Sequence, residues 1–238
     1  MSAAEAAALQ VIAMHGWCGE ACHWQPWQRQ FAARHWHWQS GERGYGSAAA
    51  QLPAWHERGG RRVVIGHSLG PHLLPQQLWA QAEAVVLLAS FGRFVPPGPP
   101  GERLSQALTT MASQLDDSEA ARAMLHRFLR QAAAPDPIEL SPPGPAEGPL
   151  GPEQRQRLRD DLQLLQHTAG LPAGFPRAAP VLVVEAAEDR IVAPEARQLL
   201  RQQLAGAEWV TIPGAGHSLL RAPVLPLVLE WLQRTLAP

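Results

Sequence analysis

Arg61-Arg62-Val63-Val64-Ile65-Gly66-His67-Ser68-Leu69-Gly70-Pro71 decides how the rest of the chain is read. Val63, Val64 and Ile65 are a short β-branched run, the composition of a strand buried on both faces. Gly66 to Gly70 then spells G-x-S-x-G. A serine so placed sits on a sharp strand-to-helix turn, and the small residues beside it let the backbones approach. The turn lifts the hydroxyl clear of the sheet. The helix that follows points backbone N–H groups at whatever oxyanion forms beside it. The five-residue pattern gains its weight from this setting between a strand and a helix.

A serine hydroxyl needs a base to take its proton. After such a turn the chain order is acid, then histidine. The sequence holds six aspartates: Asp116, Asp117, Asp136, Asp160, Asp161 and Asp189. Only Asp189 follows a late strand, Pro180 to Glu185. The single histidine downstream of it is His217, in the glycine-rich turn Pro213 to His217 after the strand-like Trp209-Val210-Thr211-Ile212. Ser68, Asp189 and His217 therefore each fall just past the C-terminal end of a predicted strand, where open α/β sheets place their sites.

This constellation resembles the α/β-hydrolase superfamily over nearly the whole chain. His15-Gly16-Trp17, after the strand Leu9 to Met14, is similar to the family's oxyanion-loop motif. The resemblance implies that the backbone N–H groups of Trp17 and Leu69 hold the oxyanion. Within the superfamily, the chain looks most like the pimeloyl-acyl-carrier-protein methyl ester carboxylesterases of biotin synthesis. The residues carrying that likeness are His15-Gly16-Trp17, Gly66 to Gly70 with Leu69, Arg127-Phe128-Leu129, and the Asp161-Leu162 segment. It implies a serine esterase acting through an acyl-enzyme, with an acyl carrier protein as partner and no cofactor. Other readings of the same residues stay open: a small-ester esterase, thioesterase or lactonase, a lyase, or a non-catalytic binding relative.

The chain has 238 residues, a hydrophobic fraction of 46% and a formal net charge of -1. That is enough apolar material for a sizeable core, and the charge balance points to no nucleic-acid partner. All 20 basic residues counted as Lys or Arg are arginines. Without lysine there is no Schiff-base, pyridoxal or P-loop chemistry. The segment Met1 to Leu9 has neither the basic flank nor the apolar run of a signal peptide or membrane span. The expectation is a cytoplasmic chain that does not contact membranes, a monomer or weak oligomer. The family places a hairpin before the first strand, and there is no room for one here. The sheet should be shortened at that edge.

Cys18 and Cys22 lie four apart with His23 adjacent. They lack a second ligand pair at zinc-like spacing, so no metal site is expected. Trp24, Trp27 and Phe31 recur at helical spacing and predict a helix over 24–33. His35 to Ser40 alternates like a strand, with His35 and His37 on one face. Leu52 to Glu57 reads as a short helix ended by Gly59-Gly60. The helix after Ser68 is expected over 69–80, with Pro71 in its first turn, where a missing N–H costs little. Ala84 to Ala89 is the next buried strand, and Phe91 and Phe94 just after it are candidates to line a pocket.

From Val95 the composition changes. Proline-rich stretches over 96–101 and 135–152 separate helical segments over 102–114, 118–133 and 153–168. The expected fold is therefore α/β, with a core over 1–94 and 178–238 and a helical cap over 95–177 between core strands six and seven. Such caps select substrates. By resemblance, Phe128 contacts the acyl chain. Arg122, Arg127 and Arg130 are the basic groups that would meet a carrier protein or a substrate carboxylate. Arg155, Arg157 and Arg159 are offset by Glu153, Asp160 and Asp161 and read as an ordinary charged helix surface. Helices over 193–204 and 224–236 close the chain.

Overall fold

The computed structural model describes residues 9–57, 59–219 and 223–236. The expectations for the segment before Leu9 lie outside the described residues. Six strands form one sheet in the order β2-β1-β3-β4-β5-β6, all parallel. They are β1 (Leu9–Met14), β2 (His37–Gly41), β3 (Arg61–His67), β4 (Ala84–Leu88), β5 (Val181–Ala186) and β6 (Glu208–Ile212). β1, β4 and β5 are buried along their whole length. This is why their sequences run apolar without alternation: a parallel sheet carries helices on both faces.

Helices α1 (Gln25–Ala32) and α8 (Val224–Leu236) supply one covering layer. Phe31, Trp231 and Leu232 pack there against Val11, Ile65 and Val86. The other face carries α2 (Gly70–Leu73), α3 (Gln76–Trp79) and α7 (Pro194–Gln203). On it, Trp79 and Leu200 pack against Ile12, Val64 and Val183. Between β4 and β5 the chain inserts α4 (Pro99–Gln114), α5 (Ser118–Ala133) and α6 (Pro152–His167). The insert does not build a separate core. Leu108, Leu125, Leu158 and Leu162 share one apolar cluster with Trp17, Tyr45, Leu69 and Phe91 from the loops above the sheet.

β1 pairs with β2 on one side and β3 on the other. The strand order reverses between β1 and β3, which opens a crevice at their C-terminal ends. His15 and Gly16 leave β1 there, and Ser68 leaves β3. Among the described residues, β2 forms the sheet edge on that side.

Three local expectations are corrected. The helix after Ser68 is not continuous over 69–80. Leu74 is extended (φ -88°, ψ 138°) between α2 and α3, because Pro75 disfavours helical geometry in the residue before it and has no N–H to donate. Residues 52–57 form no helix. Side chains from the sheet satisfy that backbone instead: Gln10 Oε1 accepts the His56 N–H at 2.8 Å and Gln39 Oε1 accepts the Ala54 N–H at 3.1 Å. His35 stands outside β2 in the left-handed region (φ 59°), so His35 and His37 do not share a strand face. The other boundaries stand or move by at most three residues.

Among the described residues, no helix is long and apolar enough to cross a membrane.

Candidate active site

Ser68 occupies the turn between β3 and α2 with φ 53°, a conformation that costs an ordinary side chain of order 1 kcal/mol or more. Its surroundings hold it there. The Ser68 N–H donates to the Leu88 carbonyl at 2.9 Å, and the Ser90 hydroxyl donates to the Ser68 carbonyl at 2.7 Å. The two glycines are steric requirements. A Cβ on Gly66 would lie 2.5 Å from Pro71 Cγ, and one on Gly70 would lie 2.2 Å from the Met14 carbonyl oxygen. Pro71 thus fills the space that Gly66 leaves. Gly16 of the β1 loop packs directly on the serine, since a Cβ there would stand 2.7 Å from Ser68 Cβ.

Ser68, His217 and Asp189 form an unbroken hydrogen-bonded chain. Ser68 Oγ lies 2.9 Å from His217 Nε2, and His217 Nδ1 lies 2.9 Å from Asp189 Oδ2. Asp189 Oδ1 accepts the N–H groups of Ile191 and Val192 at 2.8 and 3.0 Å. Burial pushes the Asp189 carboxyl up, but the adjacent His217 and these N–H groups outweigh it and hold it below the usual carboxylate range. An ionised Asp189 accepts from Nδ1–H, which leaves Nε2 with a lone pair facing the serine hydroxyl.

His67 is a second histidine at the site. Its Nε2 lies 3.0 Å from the His217 carbonyl oxygen, and its ring centroid lies 5.0 Å from that of His217. Burial, and then the neighbouring His217, pull His67 down to about 4. It is therefore neutral near pH 7 and donates Nε2–H to the carbonyl. His15 orients the β1 loop in a similar way. Its Nε2 accepts the Arg43 N–H at 3.1 Å, so the hydrogen sits on Nδ1, which donates to the Gly16 carbonyl at 2.9 Å.

A cavity of about 610 Å³ opens over Ser68 and His217. Trp17 and Gly16 line it on one side, Phe128 and Leu129 of α5 form a roof, and Trp24 and Leu219 continue the apolar wall. The rings of Trp17 and Phe128 meet edge to face at 4.8 Å. Leu69 follows Ser68 directly and Trp17 follows Gly16, which packs on the serine; the side chains of both belong to the apolar cluster beneath the insert, and only that of Trp17 also lines the cavity. Phe91 is not part of the cavity wall. It is buried against His72 and Phe94, with ring centroids 5.2 and 4.8 Å away. Arg122, Arg127 and Arg130 lie exposed on the outer side of α5 and do not reach the cavity. Arg127 donates instead to Gln114 Oε1 at 2.8 Å.

The site is tied to the insert by groups whose partners lie more than a hundred residues away in sequence. Asp161 of α6 receives a bidentate pair from Arg43, at 2.6 and 2.8 Å, and the Tyr45 hydroxyl at 2.6 Å. Ser90 and the Arg43–Tyr45–Asp161 cluster carry no local motif. The position of Ser90 at the end of the strand beside the nucleophile strand places it near the serine, but its bond to the Ser68 carbonyl carries no signal in the sequence.

A model of the alpha/beta hydrolase family matches residues 11–228. The chain belongs to that family. Among solved structures, it is similar to an esterase from Thermogutta terrifontis (16% identity, 97% of this chain and 91% of that chain covered, TM-score 0.67). It is likewise similar to an esterase from Exiguobacterium antarcticum (12%, 96% and 93%, 0.68). An enol-lactonase from Burkholderia xenovorans LB400 matches to a comparable degree (18%, 95% and 92%, 0.67). These likenesses establish a shared fold. None of the curated proteins matches the sequence.

Proposed function

We propose that this alpha/beta hydrolase is a serine carboxylesterase whose substrate is the methyl ester of a pimeloyl-acyl-carrier protein. The observation that carries the esterase reading is the hydrogen-bonded chain from Ser68 through His217 to Asp189 at the reversal point of the sheet. In this reading His217 takes the proton of Ser68 as Oγ attacks the ester carbonyl. Asp189 fixes the tautomer and stabilises the imidazolium. The backbone N–H groups of Trp17 and Leu69 receive the oxyanion, each such donor being worth about 3 kcal/mol. His217 then returns its proton to the departing methanol, and water attacks the acyl-enzyme by the same route in reverse. These steps need no metal or organic cofactor.

Two features support an acyl chain borne on a carrier. The cavity over Ser68 is walled mainly by aromatic and aliphatic side chains, including Phe128 and Leu129. The helix that supplies those two also presents Arg122, Arg127 and Arg130 to solvent, where an acidic carrier would dock. The esterase and lactonase neighbours favour a broader second reading, hydrolysis of small free esters or lactones by the same serine.

The test compares a pimeloyl methyl ester on its acyl carrier protein with p-nitrophenyl butyrate. Wild type, Ser68→Ala and an Arg122/Arg127/Arg130 charge-removal variant run in parallel. Preference for the carrier-bound ester, lost selectively in the arginine variant, supports the biotin-pathway reading. Equal cleavage of the free ester with no effect of the arginines returns the protein to the broader reading. Failure of a fluorophosphonate probe to label Ser68 overturns both.

A further inference from the structure

Cys22 and His23 line the same cavity as Ser68, yet the hydrolytic reading gives them no task. The sequence pairs Cys22 with Cys18, and that pairing offers no ligand set. The structure separates the two. Cys18 is buried in the apolar cluster, where burial pushes its thiol up and keeps it protonated. Cys22 is exposed in the 3-10 turn Ala21–Trp24. Glu20 takes the place that Cys18 leaves. One ligand atom each from Glu20, Cys22 and His23 lie within 4.8 Å of one another, the one such cluster among the described residues.

We propose that Glu20, Cys22 and His23 form a binding site for Zn²⁺ or another borderline-soft divalent cation at the wall of the cavity. A thiolate, an imidazole and a carboxylate are the donor set zinc accepts. The imidazole is already held as a ligand would be. His23 Nε2 lies 2.8 Å from the Pro143 carbonyl oxygen, so that nitrogen donates its hydrogen and Nδ1 keeps the lone pair. Fixing a ligand's tautomer through its other ring nitrogen is the usual second layer of a zinc site. No arginine pairs with Glu20 among the described residues. A second carboxylate stands close by, as Glu42 Oε2 accepts the N–H of Ala21 at 2.8 Å.

The spacing is loose for a bound ion. Zn–S and Zn–N bonds of about 2.3 and 2.0 Å put tetrahedral ligands roughly 3.5 Å apart, against 3.9 Å between Cys22 Sγ and Glu20 Oε2. The exposed Cys22 side chain can close that gap by rotation. On binding, the thiol gives its proton to solvent and the thiolate joins the metal. Three protein ligands leave a fourth position for water or for an oxygen of whatever occupies the cavity.

The test titrates the purified full chain with Co²⁺, read by the thiolate-to-cobalt charge-transfer band, and with Zn²⁺ in competition with a chromogenic chelator. Wild type is expected to take up a single ion with that band. Cys22→Ser should abolish the band. His23→Gln, which keeps a donor for Pro143, should weaken Zn²⁺ binding by about tenfold or more. Absence of the band in wild type overturns the proposal. So does a band that survives in Cys22→Ser, or Zn²⁺ affinity unchanged in both variants. These readouts do not depend on ester hydrolysis.

Discussion

The indole Nε1 of Trp17 donates to the backbone carbonyl of Leu158, 2.9 Å away. This one bond fastens the loop after β1 to α6 of the insert. The ring of the same side chain lies edge-on to Phe128 of α5, so Trp17 touches both α5, which lines the cavity, and α6, which does not. Trp17→Phe keeps the ring contact and removes the donor. It should lower stability by about 1 kcal/mol and should speed hydrogen exchange in the first turns of α6. Equal exchange in the two proteins would mean that the bond does not restrain the insert.

Asp161 offers a harsher test of the same attachment. Its buried carboxylate is the acceptor for both Arg43 and Tyr45. Asp161→Ala strands the guanidinium and the hydroxyl together and should cost about 3 kcal/mol or more. Tyr45→Phe removes one bond to an acceptor that keeps its other partner, and should cost about 1–2 kcal/mol. Thermal or urea unfolding of the two variants reads the difference. Similar losses would show that Arg43 contributes little.

His67 makes the protein acid-sensitive above the range where carboxylates titrate. Its ordinary value of 6.5 falls to about 4 in the folded chain. The unfolded chain therefore takes up a proton that the folded chain refuses. The stabilising contribution is complete above pH 6.5, declines as the pH falls, and is gone at about 4. The loss across that window is of order 3 kcal/mol. His67→Gln should flatten the curve of stability against pH between those limits. Parallel curves would show that another group is responsible.

Asp189→Asn should leave the fold intact, because Oδ1 can still accept the N–H groups of Ile191 and Val192. The amide no longer favours hydrogen on His217 Nδ1, and kcat for p-nitrophenyl butyrate should drop by on the order of 10⁴ near neutral pH. Ser90→Ala acts on the backbone of the nucleophile instead. It should cost about 1 kcal/mol of stability and lower kcat with little change in KM.

The parts of the site that sequence reveals are those whose geometry is local. Gly66, Ser68 and Gly70 must be neighbours in the chain for the turn to exist, so their spacing is a pattern. Asp189 and His217 stand out by elimination, since each must follow a strand and few candidates do. The β-branched runs announced the buried strands for a similar reason: burial on both faces leaves little choice of side chain. Contacts made only by folding left no such trace. Nothing in Phe91 says that it faces His72 rather than the cavity. Nothing near Ser90 marks its bond to Ser68. Pro75 carries the signal of a helix break, which a continuous helix over 69–80 does not take into account. At 52–57 the sheet's own Gln10 and Gln39 outbid the helix for the backbone, which local propensity does not register.

The C-terminal end of α5 rests on the His217 loop. The Ala132 carbonyl accepts the N–H of Ser218 at 3.0 Å, and Gly216 has no side chain because a Cβ there would stand 2.0 Å from the Ala134 carbonyl oxygen. The helix whose Phe128 and Leu129 roof the cavity is thus pinned at one end to the loop that carries the base. Changes of substrate scope and of base positioning are mechanically joined here. A roof that swings from its far end, near Ser118, can admit a longer chain at no cost to the base, whereas one that lifts at Ala132 takes His217 with it. Variation that alters what this protein accepts should accordingly gather toward the first turns of α5 and be sparse over its last.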